Sequence, residues 1–578
     1  MAQLALRAQK AMFGAMSRGE GGDMFQIPDP VVVTQTMMES GMKLMSDPAK
    51  LAEAQLDFFT NQTRLMQTMT KRLRGEEADP VVAPPKGDKR FADEAWNEPG
   101  YDALRQSYLL GAEWLKKLVH ETPGLDEQTR RKADFFTRLM VDAVSPSNFL
   151  ATNPVAQKAM IESRGETLRK GMEHLVEDIE RGGGRLSVRM VDETAFEMGR
   201  NIAASPGKVV YQNELMQLIQ YSPSTPEVFE RPLLIIPPWI NKFYILDLRP
   251  KNSYIKWLVD QGLTVFVISW INPGPELAHK GFEDYMNDGP MAALDAIEKV
   301  VGDRKANVIG YCIGGTLTAC MLAWMAAKGD DRVVSATYFT ALTDFEEAGE
   351  LKVFIDEDQL ALLERHLETK GCLEGRHMAQ VFNLLRDNDL IWSFVVNNYL
   401  LGKEPMPFDL LYWNADSTRM PAMMHRFYLR NFYLDNLLVK PGGITMGGVP
   451  LDLRKIETPT YMLSTREDHI APWKATYSAT QLYAGPVRFV LSGSGHIAGV
   501  INPPSSGKYP HWINESLPAD PDTWLAGAQE VAGSWWTDWM AWITPHAGAK
   551  IPARDPAKGG LPVIEDAPGA YVKLRAEG

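Results

Sequence analysis

The sequence predicts an α/β catalytic domain built on a largely parallel β-sheet, preceded by a mostly helical N-terminal domain. Three observations carry that prediction. Up to about residue 190, apolar residues recur every three or four positions, the period of an amphipathic helix. After Gly182-Gly183-Gly184 the texture changes to short β-branched stretches alternating with helical ones. Those stretches are apolar throughout, as strands buried on both faces must be. At 578 residues the chain is also too long for one ordinary domain. The domains expected are 1–190, helical, and 191–578, catalytic.

In the first domain, residues 42–73 and 155–181 carry the clearest helical period. Between them, EEADPVVAPPKGDKRFADEAWNEPGY (76–101) is rich in proline and charge and reads as a loop or extended arm. Ten of the 28 methionines precede residue 70, and such adaptable thioether surfaces suit a partner or a lipid-like phase. For any single methionine, packing on its own protein is the commoner outcome. KVVYQNELMQLIQYSP (208–223) has the form of a hairpin turning near Asn213. The core strands then follow: PLLIIPP (232–238), TVFVISW (264–270), ANVIGYC (306–312), VVSATYF (333–339), PTYMLS (459–464) and VRFVLS (487–492). From about 342 to 445 the pattern is helical and aromatic with no clear strand. That insertion predicts a cap over the C-terminal edge of the sheet, where α/β sites open. The tail beyond about 546 is rich in Gly, Pro and Ala and carries little signal.

Composition narrows the function. The apolar fraction of 45% and charged fraction of 23% are those of a soluble globular protein. A net charge of −13, with no basic tail or stripe, argues against a nucleic-acid partner. Three cysteines, Cys312, Cys320 and Cys372, make no disulfide framework and no CxxC pair, which predicts reduced thiols in the cytoplasm. The first residues lack the apolar core of a secretory signal, and no run of about 18 uncharged apolar residues predicts a membrane span. The histidines show neither HExxH nor paired spacing, so no metal is expected. PPWINK stands after the first core strand, where a dinucleotide-binding fold needs GxGxxG.

Gly310-Tyr311-Cys312-Ile313-Gly314-Gly315 follows one strand and precedes the helical TLTACMLAWMAAKG. This is the nucleophile elbow of α/β hydrolases with cysteine in place of serine. The helix N-terminus that follows favours a thiolate. In that fold the acid follows a late strand and the histidine follows the last one. PTYMLS is followed by Thr465-Arg466-Glu467-Asp468-His469, and VRFVLS by Gly493-Ser494-Gly495-His496. Asp468 is chosen over Glu467 because it lies deeper in the loop, beside the apolar HIAPW. His469, adjacent to the acid, fits a supporting place, and His496 the base. The predicted triad is Cys312, Asp468 and His496. The backbone N–H groups of Ile313 and of Ile240, in Pro237-Pro238-Trp239-Ile240-Asn241, are the expected oxyanion donors. Trp239 either narrows the acyl pocket or packs under the turn.

A thiol attacking a thioester makes another thioester, so the acyl group stays activated, whereas serine would dissipate that free energy in an oxoester. Under a cap that excludes water, this favours acyl transfer to an alcohol over hydrolysis.

GYCIGG, PPWINKFYILDL (237–248), WNADSTRMP (413–421), TREDHIAPW (465–473) and SGHIAGVINPP (494–504) together resemble the signature blocks of poly(3-hydroxyalkanoate) synthases, and the length of 578 residues with a long N-terminal region resembles their class I type. The resemblance spans about 85–545. It implies an α/β-hydrolase catalytic domain that polymerises (R)-3-hydroxyacyl-CoA, short-chain substrates such as 3-hydroxybutyryl-CoA foremost, with release of CoA and no resident cofactor. It implies that Cys312 carries the acyl units and growing polyester and that His496 deprotonates the thiol. Asp468 is implied either to activate the 3-hydroxyl or to orient His496. A homodimer attached to the surface of cytoplasmic polyester granules is implied as well. Two alternatives stand beside it: a thioesterase or polyester hydrolase of the same fold, and a non-catalytic granule scaffold.

Overall fold

The computed structural model describes Arg7 and residues 25–575, and the chain divides into two compact units. One comprises the chain through Asp192 together with Gln380–Met406; the other comprises Glu193–Ala379 and Pro407–Gly578.

The first unit is helical. The stretch 42–73 is divided between helices Pro30–Met45 and Pro48–Leu73. Asp47 caps the second by accepting the Lys50 N–H at 3.1 Å, and Pro48 takes its first position, where a missing N–H costs nothing. The stretch 155–181 is likewise split, into Pro154–Glu162 and Glu166–Arg181, at Gly165 with φ 85°. Residues 76–101 are no free arm. Phe91 and Trp96 are buried edge-to-face at 4.9 Å and pack with Leu109. Residues 380–406, the middle of the stretch expected to form the cap, pack within this unit. There Tyr399 donates its hydroxyl proton to Asp178 at 2.7 Å, and Asn398 donates to the Arg189 carbonyl at 2.7 Å. The aromatic segment approaches so closely that a Cβ on Gly171 would fall 1.9 Å from the Tyr399 carbonyl oxygen.

The second unit is organised by an eleven-stranded sheet. Its strands are β1 (Gly207–Gln212), β2 (Met216–Tyr221), β3 (Leu233–Ile236), β4 (Val265–Trp270), β5 (Ala306–Tyr311) and β6 (Val333–Phe339). They continue with β7 (Thr460–Thr465), β8 (Val487–Ser492), β9 (His511–Ile513), β10 (Gln529–Val531) and β11 (Glu565–Asp566). The spatial order is β10-β9-β8-β7-β6-β5-β3-β4-β2-β1-β11. Strands β4, β3, β5, β6, β7 and β8 run parallel, while β1, β2, β9, β10 and β11 pair antiparallel. Every residue of β3, β4, β5 and β7 is buried, as a parallel sheet covered on both faces requires.

The tail is built into this unit. Its strand β11 extends the sheet beside β1. Upstream, the helix Trp536–Ile543 buries Trp536 and Trp539 behind Trp535. The three indoles donate to the Gly499 carbonyl (3.0 Å, Trp535), the Val500 carbonyl (2.9 Å, Trp536) and the Thr337 hydroxyl (2.9 Å, Trp539). Two of those acceptors lie just after His496, so the tryptophans pin its loop. Among the described residues, no helix is long and apolar enough to cross a membrane.

Candidate active site

Cys312 stands between β5 and the helix Ile313–Lys328 with φ 52° and ψ −124°. A non-glycine residue there carries about 1–3 kcal/mol of strain, tolerated only where the surroundings over-determine it. They do. The Cys312 N–H donates to the Phe339 carbonyl of β6 at 2.9 Å, and its own carbonyl accepts from Gly315 N–H at 2.8 Å. Two glycines make the turn sterically feasible. A Cβ on Gly310 would fall 2.4 Å from Thr318 Oγ1, and one on Gly314 would fall 2.2 Å from the Ile236 carbonyl oxygen. The start of the helix therefore abuts the end of β3, which brings Ile313 toward the 237–241 loop. The N–H of Ile313 is one of the four at a helix start that have no partner within the helix.

The structure brings the predicted acid and base together. His496 Nδ1 lies 2.7 Å from Asp468 Oδ2, both side chains being buried. A carboxylate only accepts, so Nδ1 carries the proton and Nε2 is the nitrogen left for the thiol. Asp468 is itself fixed: its Oδ1 accepts from the Ile470 and Ala471 N–H groups at 2.8 and 2.9 Å. Glu467, by contrast, is exposed and meets the histidine loop through its main chain, donating to the Ser494 carbonyl at 2.9 Å. Tyr311 donates to the His496 carbonyl at 3.2 Å. Burial opposes a charge on His496, but Asp468, then Cys312, through charge and hydrogen bonding, outweigh it and raise the imidazole to about 10. The imidazole is therefore built to hold a proton between a carboxylate and a sulfur.

Around this group lies an aromatic cover drawn from the stretch expected to form the cap, although the sequence singled out none of its members. Phe345, Tyr428, Phe432 and Tyr433 pack together, with Tyr433 4.8 Å from Phe345 and Phe345 5.6 Å from Phe432 between ring centres. Burial raises the pKa of both Tyr428 and Tyr433, and the charge of Cys312 adds to it. Both hydroxyls thus stay protonated beside the thiol.

Ile240 sits in the loop after β3, as expected. Trp239 is buried among Trp270 (5.4 Å), Phe282 (5.8 Å) and Tyr285 (4.6 Å), and it packs beneath the turn. The carbonyls of this loop are held from outside. Trp270 Nε1 donates to Pro237 O at 2.9 Å and Trp413 Nε1 to Lys242 O at 2.7 Å, while the single hydroxyl proton of Thr418 is shared between Trp239 O and Ile240 O, which lie 2.5 and 2.7 Å from Oγ1. The buried Lys242 ammonium pairs with Asp416 at 2.7 Å and donates to the Val572 carbonyl at 2.8 Å. Burial lowers the Lys242 pKa and Asp416 opposes that effect. Tyr244 completes the group by donating to Asp416 at 3.0 Å. Trp413, Asp416 and Thr418 all come from WNADSTRMP, a block visible in the sequence without a role. No group of His, Cys, Asp and Glu among the described residues could hold a metal ion.

The first eight strands in the order β1-β2-β4-β3-β5-β6-β7-β8, with a strained nucleophile after β5 and acid and histidine after β7 and β8, define an α/β-hydrolase fold carrying a thiol. Comparison with known sequences agrees. Residues 247–503 match the family described as "alpha/beta hydrolase fold", and residues 87–258 match "Poly-beta-hydroxybutyrate polymerase (PhaC) N-terminus". The "Poly(3-hydroxyalkanoate) polymerase subunit PhaC" of Rhizobium meliloti (strain 1021) is 47% identical, over 99% of this chain and 93% of its own. The "Poly(3-hydroxyalkanoate) polymerase" of Methylorubrum extorquens is 48% identical over 94% of this chain and 90% of its own. The corresponding subunit of Cupriavidus necator is 45% identical over 93% of this chain and 90% of its own. The chain belongs to the poly(3-hydroxyalkanoate) polymerase family and is an enzyme of the acyltransferase kind.

Proposed function

We propose that the protein polymerises (R)-3-hydroxyacyl-CoA, of the short-chain 3-hydroxybutyryl type, through a thioester on Cys312. His496 Nε2 holds the proton taken from the Cys312 thiol, and Sγ attacks the substrate's thioester carbonyl. The tetrahedral oxyanion is held by the N–H groups of Ile313 and Ile240. The bond to the CoA sulfur breaks, the CoA thiolate takes the proton from His496, and the acyl group remains on Cys312. The 3-hydroxyl of an incoming substrate then loses its proton to His496 and attacks this thioester. An ester forms and the Cys312 thiol is restored. Attack of Cys312 on the thioester of the lengthened molecule releases its CoA and returns the longer chain to the enzyme.

The observation that carries this reading is a strained thiol beside a buried His496–Asp468 pair under the aromatic cover of Phe345, Tyr428, Phe432 and Tyr433. A thiol conserves the activated acyl bond, and an apolar cover disfavours water as acceptor. Both oxygens of Asp468 are engaged, by His496 and by two backbone N–H groups, which supports an orienting role for it. The product remains tethered to its enzyme, in keeping with a homodimer at the surface of cytoplasmic granules. Met38, Met42, Met45, Leu56, Phe59 and Met66 are exposed on the N-terminal helices and suit such a surface; deletion of residues 1–75 with granule attachment unchanged would remove them from that role.

The test is to incubate the purified protein with (R)-3-hydroxybutyryl-CoA while measuring free CoA, polymer and free acid. Insoluble polyester formed with CoA release supports the proposal. CoA release accompanied only by 3-hydroxybutyrate means that water is the acceptor, and a thioesterase reading replaces it.

A further inference from the structure

We propose that Thr418 is a positioning residue that aims the Ile240 N–H at the developing oxyanion, an inference that rests on the reading of Ile240 as an oxyanion donor. The argument begins with peptide planarity. The carbonyl of Trp239 and the N–H of Ile240 belong to one rigid unit and point in opposite directions. Whatever holds the carbonyl therefore aims the N–H. Thr418 Oγ1 lies 2.5 Å from that carbonyl oxygen and 2.7 Å from the next one, Ile240 O. The threonine is buried, so water does not substitute for it.

The rest of the loop has little freedom. Pro237 and Pro238 have fixed φ, and the Pro237 carbonyl accepts from Trp270. At the far end, Lys242 is held by Trp413, Asp416 and Val572. Between these anchors the Trp239–Ile240 peptide can turn by a paired change in Trp239 ψ and Ile240 φ. Such a turn would break both Thr418 contacts. Thr418 is in turn fixed, since the Arg419 N–H following it donates to Asn272 Oδ1 at 3.0 Å. A hydrogen bond to an amide carbonyl also polarises the amide and strengthens its N–H as a donor. One hydroxyl on the cap segment thus sets both the direction and the donor strength of a group on the opposite side of the peptide.

The test compares wild type, Thr418→Val and Thr418→Ser in two reactions of the full chain. Single-turnover CoA release from (R)-3-hydroxybutyryl-CoA develops an oxyanion. Alkylation of Cys312 by iodoacetamide is a displacement at carbon and develops none. Removal of an oxyanion donor costs about 10²–10³ in rate, so misaiming one predicts a drop of about tenfold or more in acylation for Thr418→Val. Alkylation should stay near the wild-type rate, and Thr418→Ser, which keeps the hydroxyl, should recover most of the acylation. Wild-type acylation in Thr418→Val would overturn the proposal. So would an equal loss in both reactions, which marks a generally loosened site. If wild type itself gives no Cys312-dependent CoA release, the thioester reading fails first, and that result is distinct from the other two.

Discussion

The imidazole of His496 donates through Nδ1 to Asp468 at 2.7 Å, across 28 residues of sequence and between two neighbouring parallel strands' loops. The pair is buried, and the far oxygen of the carboxylate is taken by two backbone N–H groups. This fixes the tautomer and leaves Nε2 to exchange a proton with sulfur.

The pair predicts an unusual titration. With His496 raised to about 10, chiefly by Asp468 and Cys312 against the effect of burial, its imidazolium should persist through neutral pH and be lost as pH rises through about 10. Histidine-labelled NMR reads this directly. In Asp468→Asn the transition should move to lower pH, because the largest of the raising charges is gone. CoA release in that variant should fall on the order of 10⁴-fold, as when a catalytic histidine loses its orienting carboxylate. An unmoved transition would separate Asp468 from His496.

Cys312→Ser keeps the elbow but ends with an oxoester. The first acyl transfer is expected to slow, since the hydroxyl is the weaker nucleophile. No polymer should follow, because an oxoester no longer drives ester formation. Polymer from Cys312→Ser would mean that thioester conservation is not the reason for cysteine.

Lys242 and Asp416 are a buried ion pair with side chains 2% and 4% exposed. Lys242→Met leaves a buried carboxylate unpaired and is expected to cost about 3–5 kcal/mol of stability. Lys242→Met/Asp416→Asn should recover part of that. Urea midpoints at constant slope give both numbers, and additive losses would show that the two residues are not energetically coupled.

Gly314→Ala places a Cβ 2.2 Å from the Ile236 carbonyl oxygen, a backbone atom with nowhere to go. It should lower the unfolding midpoint and abolish CoA release. Gly302→Ala meets no atom within 4 Å, and at φ 75° it should cost about 1 kcal/mol with activity kept. Equal effects of the two would deny that close packing of helix on strand shapes the elbow.

Much of this architecture was legible in the sequence because its signals are local. The runs 306–312 and 333–339 became β5 and β6 almost residue for residue, since buried parallel strands are written as unbroken apolar stretches. Cys312, Asp468 and His496 were legible as a group because each lies within four residues of a strand end. Thr418 was not: its partner Trp239 lies 179 residues away, and no periodicity encodes such a contact. Tyr428 and Tyr433 fell within the expected cap but were not singled out, for the same reason. The three-residue strands β9 and β10 fall below any alternation signal. The break before Pro48 was not read in 42–73, although Asp47-Pro48 is a cap signal, whereas the packing of 380–406 depends on which surface its aromatics meet, and helical period is silent about that.

The most direct test is the intact mass of the protein quenched in acid moments after mixing with (R)-3-hydroxybutyryl-CoA. Wild type should gain one or more 3-hydroxybutyryl units, released by hydroxylamine as a thioester is, and Cys312→Ala should gain none. CoA release with no covalent adduct on wild type, or an adduct of equal abundance on Cys312→Ala, would contradict a thioester on Cys312.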